Sequence, residues 1–165
     1  WVRRHTDLFF DHGGQLAGQG VVDNGALSQL LTHSYFEQPP PKSLDRNAFS
    51  MEPVEHLSLE NGAATLTAFT AVAVSRAQDL FPAPPTQWLA SGGGRLNPIL
   101  MEKISKKLST PIEPIEVVGC NGDALEAQAF AYLAVRSLKK LPLSYPDTTG
   151  VSRPVSGGVF YSAKN

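Results

Sequence analysis

The stretch Leu89-Ala90-Ser91-Gly92-Gly93-Gly94-Arg95-Leu96-Asn97-Pro98 is the part of the chain around which the other elements can be arranged. The apolar run before it, residues 86–90, predicts a short buried strand. Asn97 is a good helix N-cap residue, and Pro98 suits the first helical position, where a missing N–H costs nothing. A strand, three glycines and a helix allow the backbone to approach a ligand closely and to direct free N–H groups at an anion.

The three glycines by themselves leave two interpretations open. They are compatible with a nucleotide site, and also with an ordinary turn between a strand and a helix. The stretch matches neither GxGxxG nor GxxxxGK[ST], so it is not the usual dinucleotide-binding or P-loop motif. Its meaning therefore depends on the rest of the chain.

Hydrophobic periodicity predicts helices and strands on both sides of the glycines. Residues 61–81 are the longest helical pattern, and its β-branched side chains favour packing against a sheet. After the glycines follow a helix over 98–109, a strand over 112–118 and an amphipathic helix over 123–140. The predicted core side of that last helix consists of Leu125, Ala129, Tyr132, Leu133 and Leu138. This order is the βαβ rhythm, which implies parallel strands and a right-handed crossover.

The composition is that of a globular protein without a strong charge. The 165 residues are 42% hydrophobic and 18% charged, which is enough for one domain with a core. A formal net charge of -1 gives no reason to expect nucleic acid or a membrane surface as a partner. The single Cys120 excludes an internal disulfide and fits a reducing cytosol. The four histidines lack HxxxH spacing, and no apolar run approaches the ~20 residues of a membrane span. We therefore expect a cytoplasmic protein without a metal site.

Three further stretches accompany the glycine turn in a fixed order. They are NGAATLTAFTA at 61–71, DALEAQAFA at 123–131 and QPPPKS at 38–43, the last followed by Arg46 and Phe49. With the glycine turn, they resemble the C-terminal half of the anhydro-N-acetylmuramic acid kinase family. This is a family of sugar kinases in the actin, Hsp70 and hexokinase superfamily. The resemblance extends from Trp1 to about Tyr161.

The resemblance implies an α/β fold. The chain would be the C-terminal lobe of a ribonuclease H-like, actin-like ATPase fold, with a parallel βαβα unit and extra helices. Residues 1–58 would form a helical, Pro-rich segment that leads into the lobe, and residues 59–165 its nucleotide-binding part. The chain begins at Trp1 without an initiator Met. We therefore expect a fragment from which the N-terminal lobe is absent, and a homodimer is a further implication of the family.

The resemblance also implies which residues bind the ligands. ATP would be bound by the glycine turn and the residue that caps the next helix: Gly92, Gly93, Gly94 and Asn97. Mg²⁺ would accompany ATP and be held mainly by phosphates and water rather than by protein side chains. The sugar would be contacted by Glu126, Lys42, Ser43 and Arg46.

Simpler interpretations of these residues remain open. A glutamate such as Glu126, near the start of a helix, is also favoured by the helix dipole. Asp123 is predicted to be the N-cap of the same helix. Arg95 is compatible with a nucleotide contact and equally with exposure to solvent. Lys42, Ser43 and Arg46 also fit a solvated helix start. The sequence departs from the family's pattern at Leu44, Asp45, Ser156 and Gly157.

The family's reaction is the ATP-dependent conversion of 1,6-anhydro-N-acetylmuramic acid, with water, to N-acetylmuramic acid 6-phosphate during cell-wall recycling. An aspartate upstream of the equivalent of Trp1 activates the water in this family. The resemblance therefore places no catalytic residue within these 165 residues, and we expect the chain alone to be inactive. The alternative is a non-catalytic nucleotide- or sugar-binding module derived from such a kinase. A different sugar kinase of the superfamily would fit the glycine turn but not the stretches at 38–46 and 123–131.

Overall fold

The computed structural model describes residues 1–162, apart from the side chain of Arg46. Within this part the chain forms seven α-helices and two short strands, joined by 3₁₀ turns and loops. The helices are α1 (Val2–His5), α2 (Gln15–Gln19), α3 (Asn24–Leu30), α4 (Leu59–Ser75), α5 (Pro98–Ser105), α6 (Leu125–Leu138) and α7 (Pro146–Thr149). The strands are β1 (Trp88–Ala90) and β2 (Ile112–Pro114). No helix of the described part is long and apolar enough to cross a membrane.

The long helix α4 is the centre of the packing. Ser58 caps it by accepting a hydrogen bond from the Asn61 N–H, and the helix passes into a 3₁₀ turn after Ser75. Its main neighbours among the described residues are α2, α3 and α5, so within this part of the chain it packs against helices and not against the predicted sheet. The buried face of α4 is rich in small residues, among them Gly62, Ala63, Ala64 and Ala71, and small side chains let helices approach closely.

The hydrophobic core lies between α3, α4 and the turns that connect them. Ala26, Leu30, Val54 and Phe69 form its buried centre. The Phe69 ring meets the rings of Phe49 and Phe36 edge to face, with centroids 5.1 and 6.0 Å apart. Edge-to-face aromatic pairs add to the stability gained from burial. The core therefore lies in the helical part of the chain, away from the strands.

The βαβ unit predicted around the glycines is confirmed, but its first strand is not buried as predicted, since Leu89 is 41% exposed. β1 and β2 pair in parallel, with Trp88 opposite Ile112 and Ala90 opposite Pro114, and α5 forms the connection between them. The second strand is shorter than the predicted 112–118 because Pro114 has no N–H to donate to a ladder. The chain turns there into a 3₁₀ segment that ends at Gly119, whose φ of +79° favours glycine.

The predicted helix after β2 exists as α6, but its surroundings differ from the expectation. No residue of α6 is buried, and Tyr132 and Leu138 are 61% and 60% exposed. The predicted core side of α6 is therefore wrong within the described chain, because no other described element covers that face. The chain is a helix-rich α/β protein with a small parallel sheet. The division at residues 58 and 59 stays a prediction.

Candidate functional site

The glycine turn leads from β1 to α5 through a conformation that requires glycine at its first position. Gly92 has a φ of +72°, which side-chain-bearing residues rarely adopt. A Cβ added to Gly92 or Gly93 would have no protein atom within 4 Å, so both residues face open space. The turn then winds into a short 3₁₀ segment, Gly93–Leu96. Its backbone is therefore accessible to a ligand.

Asn97 ends the turn and caps α5, as predicted. Its Oδ1 accepts a hydrogen bond from the Leu100 N–H at 3.0 Å, and Pro98 occupies the first helical position. A Cβ on Gly14 would overlap this same Oδ1, so the loop before α2 packs directly against the cap. Asn97 thus has a structural task, whether or not it also contacts a nucleotide.

One cavity of about 410 Å³ brings two of the predicted nucleotide residues together with one predicted sugar residue. Gly92 and Gly93 line it from the turn, and Glu126 lines it from the first turn of α6. The remaining lining residues are Ser91, Gly122, Asp123 and Leu125. A carboxylate and a bare peptide turn therefore face the same space, which is the arrangement expected from the sequence.

A second cavity, also of about 410 Å³, shares the glycine turn. Gly93, Gly94 and Asn97 line it together with Leu96, Phe10, Asp11 and Gly13. The Asp11 carboxylate accepts hydrogen bonds from the N–H groups of Leu16 and Ala17, at 2.9 and 3.0 Å, and so holds the start of α2. This loop was not predicted from the sequence to be part of the site. The available signal was the turn-forming run Asp11-His12-Gly13-Gly14.

Arg95 is neither a solvent-facing side chain nor a free nucleotide ligand. Its side chain is only 5% exposed. Nη1 donates to the Gly92 carbonyl at 2.9 Å and to Asp123 Oδ1 at 2.8 Å, and Nε donates to Glu116 Oε1 at 2.9 Å. These bonds connect the glycine turn, the 3₁₀ segment after β2 and the loop before α6.

The ion pairs of Arg95 shift the titration of all three groups. Hydrogen bonds from the guanidinium lower the pKa of Glu116 and the pKa of Asp123, and the two carboxylates raise the pKa of Arg95. The prediction that Asp123 is the N-cap of α6 is therefore wrong, because its carboxylate is bound to Arg95. Ala124 occupies the N-cap position and provides no side-chain bond.

Two of the other predicted sugar residues, Lys42 and Ser43, do not line either cavity. Lys42 Nζ donates to the Tyr35 carbonyl at 2.9 Å and sits 4.6 Å from the centroid of the Tyr35 ring. Ser43 is exposed, and the side chain of Arg46 lies outside the described residues. Their contact with the sugar stays a prediction.

The described residues contain no group of three or more His, Cys, Asp or Glu side chains that could hold a metal ion. Mg²⁺ binding through phosphates needs no such group, because magnesium usually keeps several water ligands. The glycine turn fits this requirement, since it offers backbone and open space rather than a carboxylate cage.

Comparison with known proteins agrees with the motifs. The model of the family described as anhydro-N-acetylmuramic acid kinase matches residues 1–163, nearly the whole chain. The chain belongs to the anhydro-N-acetylmuramic acid kinase family. A family member from Rhodospirillum rubrum is 54% identical over 163 residues, which are 99% of this chain and 44% of that protein.

Two further members of the anhydro-N-acetylmuramic acid kinase family have a similar level of identity to this chain. The protein from Paramagnetospirillum magneticum is 53% identical over 96% of this chain and 45% of its own length. The protein from Zymomonas mobilis is 48% identical over 96% of this chain and 43% of its own length. The chain thus spans less than half the length of these kinases. The matches do not support the expected placement in the C-terminal half of the family.

Proposed function

We propose that this chain is part of an ATP-dependent kinase that converts 1,6-anhydro-N-acetylmuramic acid, with water, to N-acetylmuramic acid 6-phosphate. Membership of the kinase family supports the reaction class. The observation that carries the proposal for this chain is the cavity lined by Gly92, Gly93 and Glu126. Such a reaction belongs to the recycling of cell-wall amino sugars.

The glycine turn has the properties that the nucleotide half of this reaction needs. Phosphoryl transfer requires positioning and charge stabilisation more than covalent help from the protein. The backbone of Gly92 and Gly93 can approach ATP because a Cβ at either position would meet no protein atom within 4 Å, and Gly94 is proposed to extend the same nucleotide contact. Asn97 fixes the end of the turn through its bond to Leu100. Bound Mg²⁺ would supply charge neutralisation at the phosphates.

Glu126 is the proposed sugar ligand at the other side of the cavity. Its carboxylate can accept hydrogen bonds from sugar hydroxyl groups, and bonds to a charged group are stronger than neutral ones. The general base of the reaction is proposed to lie outside these 165 residues. Within the larger protein, the parallel β1–α5–β2 unit followed by α6 supports a lobe of the ribonuclease H-like, actin-like type. The need for ATP and the reducing environment that suits Cys120 make the cytoplasm the proposed location.

The proposal is tested by changing the Glu126 carboxylate in the complete gene product. We expect Glu126→Gln to raise the KM for the anhydro sugar by about tenfold, the effect of weakening a hydrogen bond to a charged group. The KM for ATP should change by no more than about twofold, because the nucleotide is held by the backbone of the turn. Phosphorylated product is measured by mass spectrometry and ADP release by a coupled assay.

Glu102→Gln is the matched control, because Glu102 lies exposed on α5, pairs with Lys106 and lines neither cavity. Equal sugar KM values for Glu126→Gln, Glu102→Gln and the natural protein would contradict the role of Glu126. Binding of ATP or sugar without any phosphorylated product would favour the alternative of a non-catalytic module.

A further inference from the structure

The Arg95 side chain has the geometry of a clamp rather than of a ligand-binding group. Nε and Nη1 donate to Glu116, Asp123 and the Gly92 carbonyl, and Nη2 lies 2.8 Å from Glu116 Oε1. A guanidinium is planar and offers its donors in a fixed fork, so this set of acceptors fixes its orientation. With two carboxylates bound to one cation, the group carries no surplus positive charge for a phosphate.

Backbone hydrogen bonds beside Arg95 also join the glycine turn to the loop before α6. The Gly92 N–H donates to the Gly122 carbonyl at 3.1 Å, and the Gly122 N–H donates to Glu116 Oε1 at 3.1 Å. Gly122 is buried, and a Cβ at this position would overlap Nε, Cζ and Cδ of Arg95. The absence of a side chain at Gly122 therefore leaves the space that the guanidinium occupies.

The start of α6 depends on this arrangement, because the helix has no side-chain cap of its own. Asp123, the residue that precedes Ala124, is held by Arg95 instead. The Asp123 and Ala124 N–H groups donate to Asn121 Oδ1 at 2.9 and 3.2 Å, which shapes the loop but does not tie it to the glycine turn. Among the described residues, the loop before α6 is joined to the glycine turn by the Arg95 hydrogen bonds and by the hydrogen bond between Gly92 and Gly122.

We propose that Arg95 is a positioning residue that holds the first turn of α6, and with it Glu126, in register with the glycine turn. Glu126 follows Asp123 by three positions, less than one helical turn. The inference rests on the proposed function, since it assigns Arg95 the task of setting the distance between the nucleotide and the sugar. Positioning of this kind strongly affects the rate, because small displacements of reacting groups are costly.

The clamp gives a specific pattern of mutant kinetics in the complete gene product. In Arg95→Ala, the KM for the anhydro sugar rises by about tenfold, as expected when a ligand group is displaced. Because Arg95 acts through Glu126, the Glu126→Gln change has at most about a twofold further effect in the Arg95→Ala background. Gly122→Ala displaces the guanidinium, and its effect is likewise lost when Arg95 is already alanine.

Lys106→Ala is the control, because it removes an exposed cation of α5 that bonds only to Glu102 among the described residues. Its sugar KM stays that of the natural protein. Circular dichroism and thermal melting identify variants that do not fold. Should Arg95→Ala unfold the protein, Gly122→Ala alone and with Glu126→Gln provides the same comparison. Independent, multiplying effects of Arg95→Ala and Glu126→Gln would overturn the positioning role.

Hydrogen exchange tests the clamp without relying on activity. Peptides that contain the Gly92 and Gly122 amides should exchange at least about tenfold faster in Arg95→Ala than in the natural protein, because local opening becomes easier. Lys106→Ala should leave their exchange unchanged. Unchanged exchange in Arg95→Ala would overturn the clamp even if the kinase is active. Faster exchange in a protein that never phosphorylates the sugar would keep the clamp and reject the proposed function.

Discussion

At the scale of single residues, the charged side chains beside the glycine turn couple the stability of the site to pH. The Arg95 guanidinium holds the pKa of Glu116 and the pKa of Asp123 below their usual range. A carboxylate with a lower pKa in the folded state stabilises the fold at pH values above its unfolded pKa, about 4 for Asp and Glu. That contribution is lost as the pH falls through the lowered pKa.

We expect the natural chain to lose stability between about pH 5 and pH 3, and Arg95→Met to lose less over the same interval. Both carboxylates are partly exposed, at 45% and 71%, so solvent screening keeps the difference small. The measurement is urea unfolding at a series of pH values. Arg136→Met is the control, because Arg136 donates to the hydroxyl groups of Tyr132 and Tyr145 and to no described carboxylate. Parallel pH profiles for the natural chain and Arg95→Met would contradict the ion pairs.

At the scale of elements, a buried hydroxyl adds a polar link between the start of α3 and α4. Thr65 is fully buried, and its Oγ1 donates to the Asn61 carbonyl at 2.7 Å and accepts from the Asp23 N–H at 2.9 Å. Asp23 in turn caps α3 by accepting from the Ala26 N–H. The Thr65 hydroxyl therefore ties the N-cap residue of α3 to α4.

Thr65→Val keeps the shape of the side chain and removes the acceptor, so the Asp23 N–H loses its partner. We expect a loss of about 1–3 kcal/mol in the free energy of unfolding, the cost of a buried unsatisfied donor. Thr65→Ser retains the hydroxyl and should recover most of this loss in urea unfolding. Thr70→Val is the matched control on the same helix, since exposed Thr70 donates only to the Leu66 carbonyl. A Thr65→Val variant as stable as Thr70→Val would refute the link.

The elements that the sequence could predict are those that depend on local signals. Asn97 and Pro98 are adjacent and sufficient to start α5, and the apolar run at Trp88 is sufficient for β1. The start of α6 was mispredicted because Asp123 is bound by Arg95, 28 positions earlier, and such a contact has no local pattern. The packing of α4 was mispredicted because its threonines serve α3 and its own backbone rather than a sheet.

The same distinction holds for the candidate site. Gly92, Gly93 and Glu126 were predicted from the resemblance and do line one cavity, while Gly94 and Asn97 line the other. The Asp11 loop was missed because its approach to Asn97 is a tertiary contact between distant parts of the chain. The role of Arg95 could not be found from sequence either, because its acceptors lie in three separate segments.

At the scale of the whole molecule, the described chain leaves much apolar surface uncovered. Phe130, Tyr132, Val135 and Leu138 of α6 are 49–65% exposed and point in several directions around the helix. A helix that is apolar on more than one face is normally buried. The sheet has only two strands, fewer than stable sheets usually have. Both features agree with a chain that spans 44% of the length of its Rhodospirillum rubrum relative.

We expect the 165-residue chain by itself to produce no N-acetylmuramic acid 6-phosphate from ATP and the anhydro sugar. The physical reason is that the proposed general base lies outside it, and loss of such a group removes a large part of the rate enhancement. The assay compares the chain with the complete gene product by mass spectrometry of the sugar, with ADP release as a second readout. Phosphorylated sugar formed by the isolated chain would disprove the expectation.

The close fit between Gly122 and Arg95 has an evolutionary consequence. Gly122 does not have a positive φ, so the backbone there would accept alanine, and the atoms nearest to an added Cβ all belong to Arg95. In a relative that has a short side chain in place of Arg95, alanine at position 122 would therefore meet no steric conflict. The two positions should vary in a correlated way among distant descendants of this sequence, although 27 positions separate them.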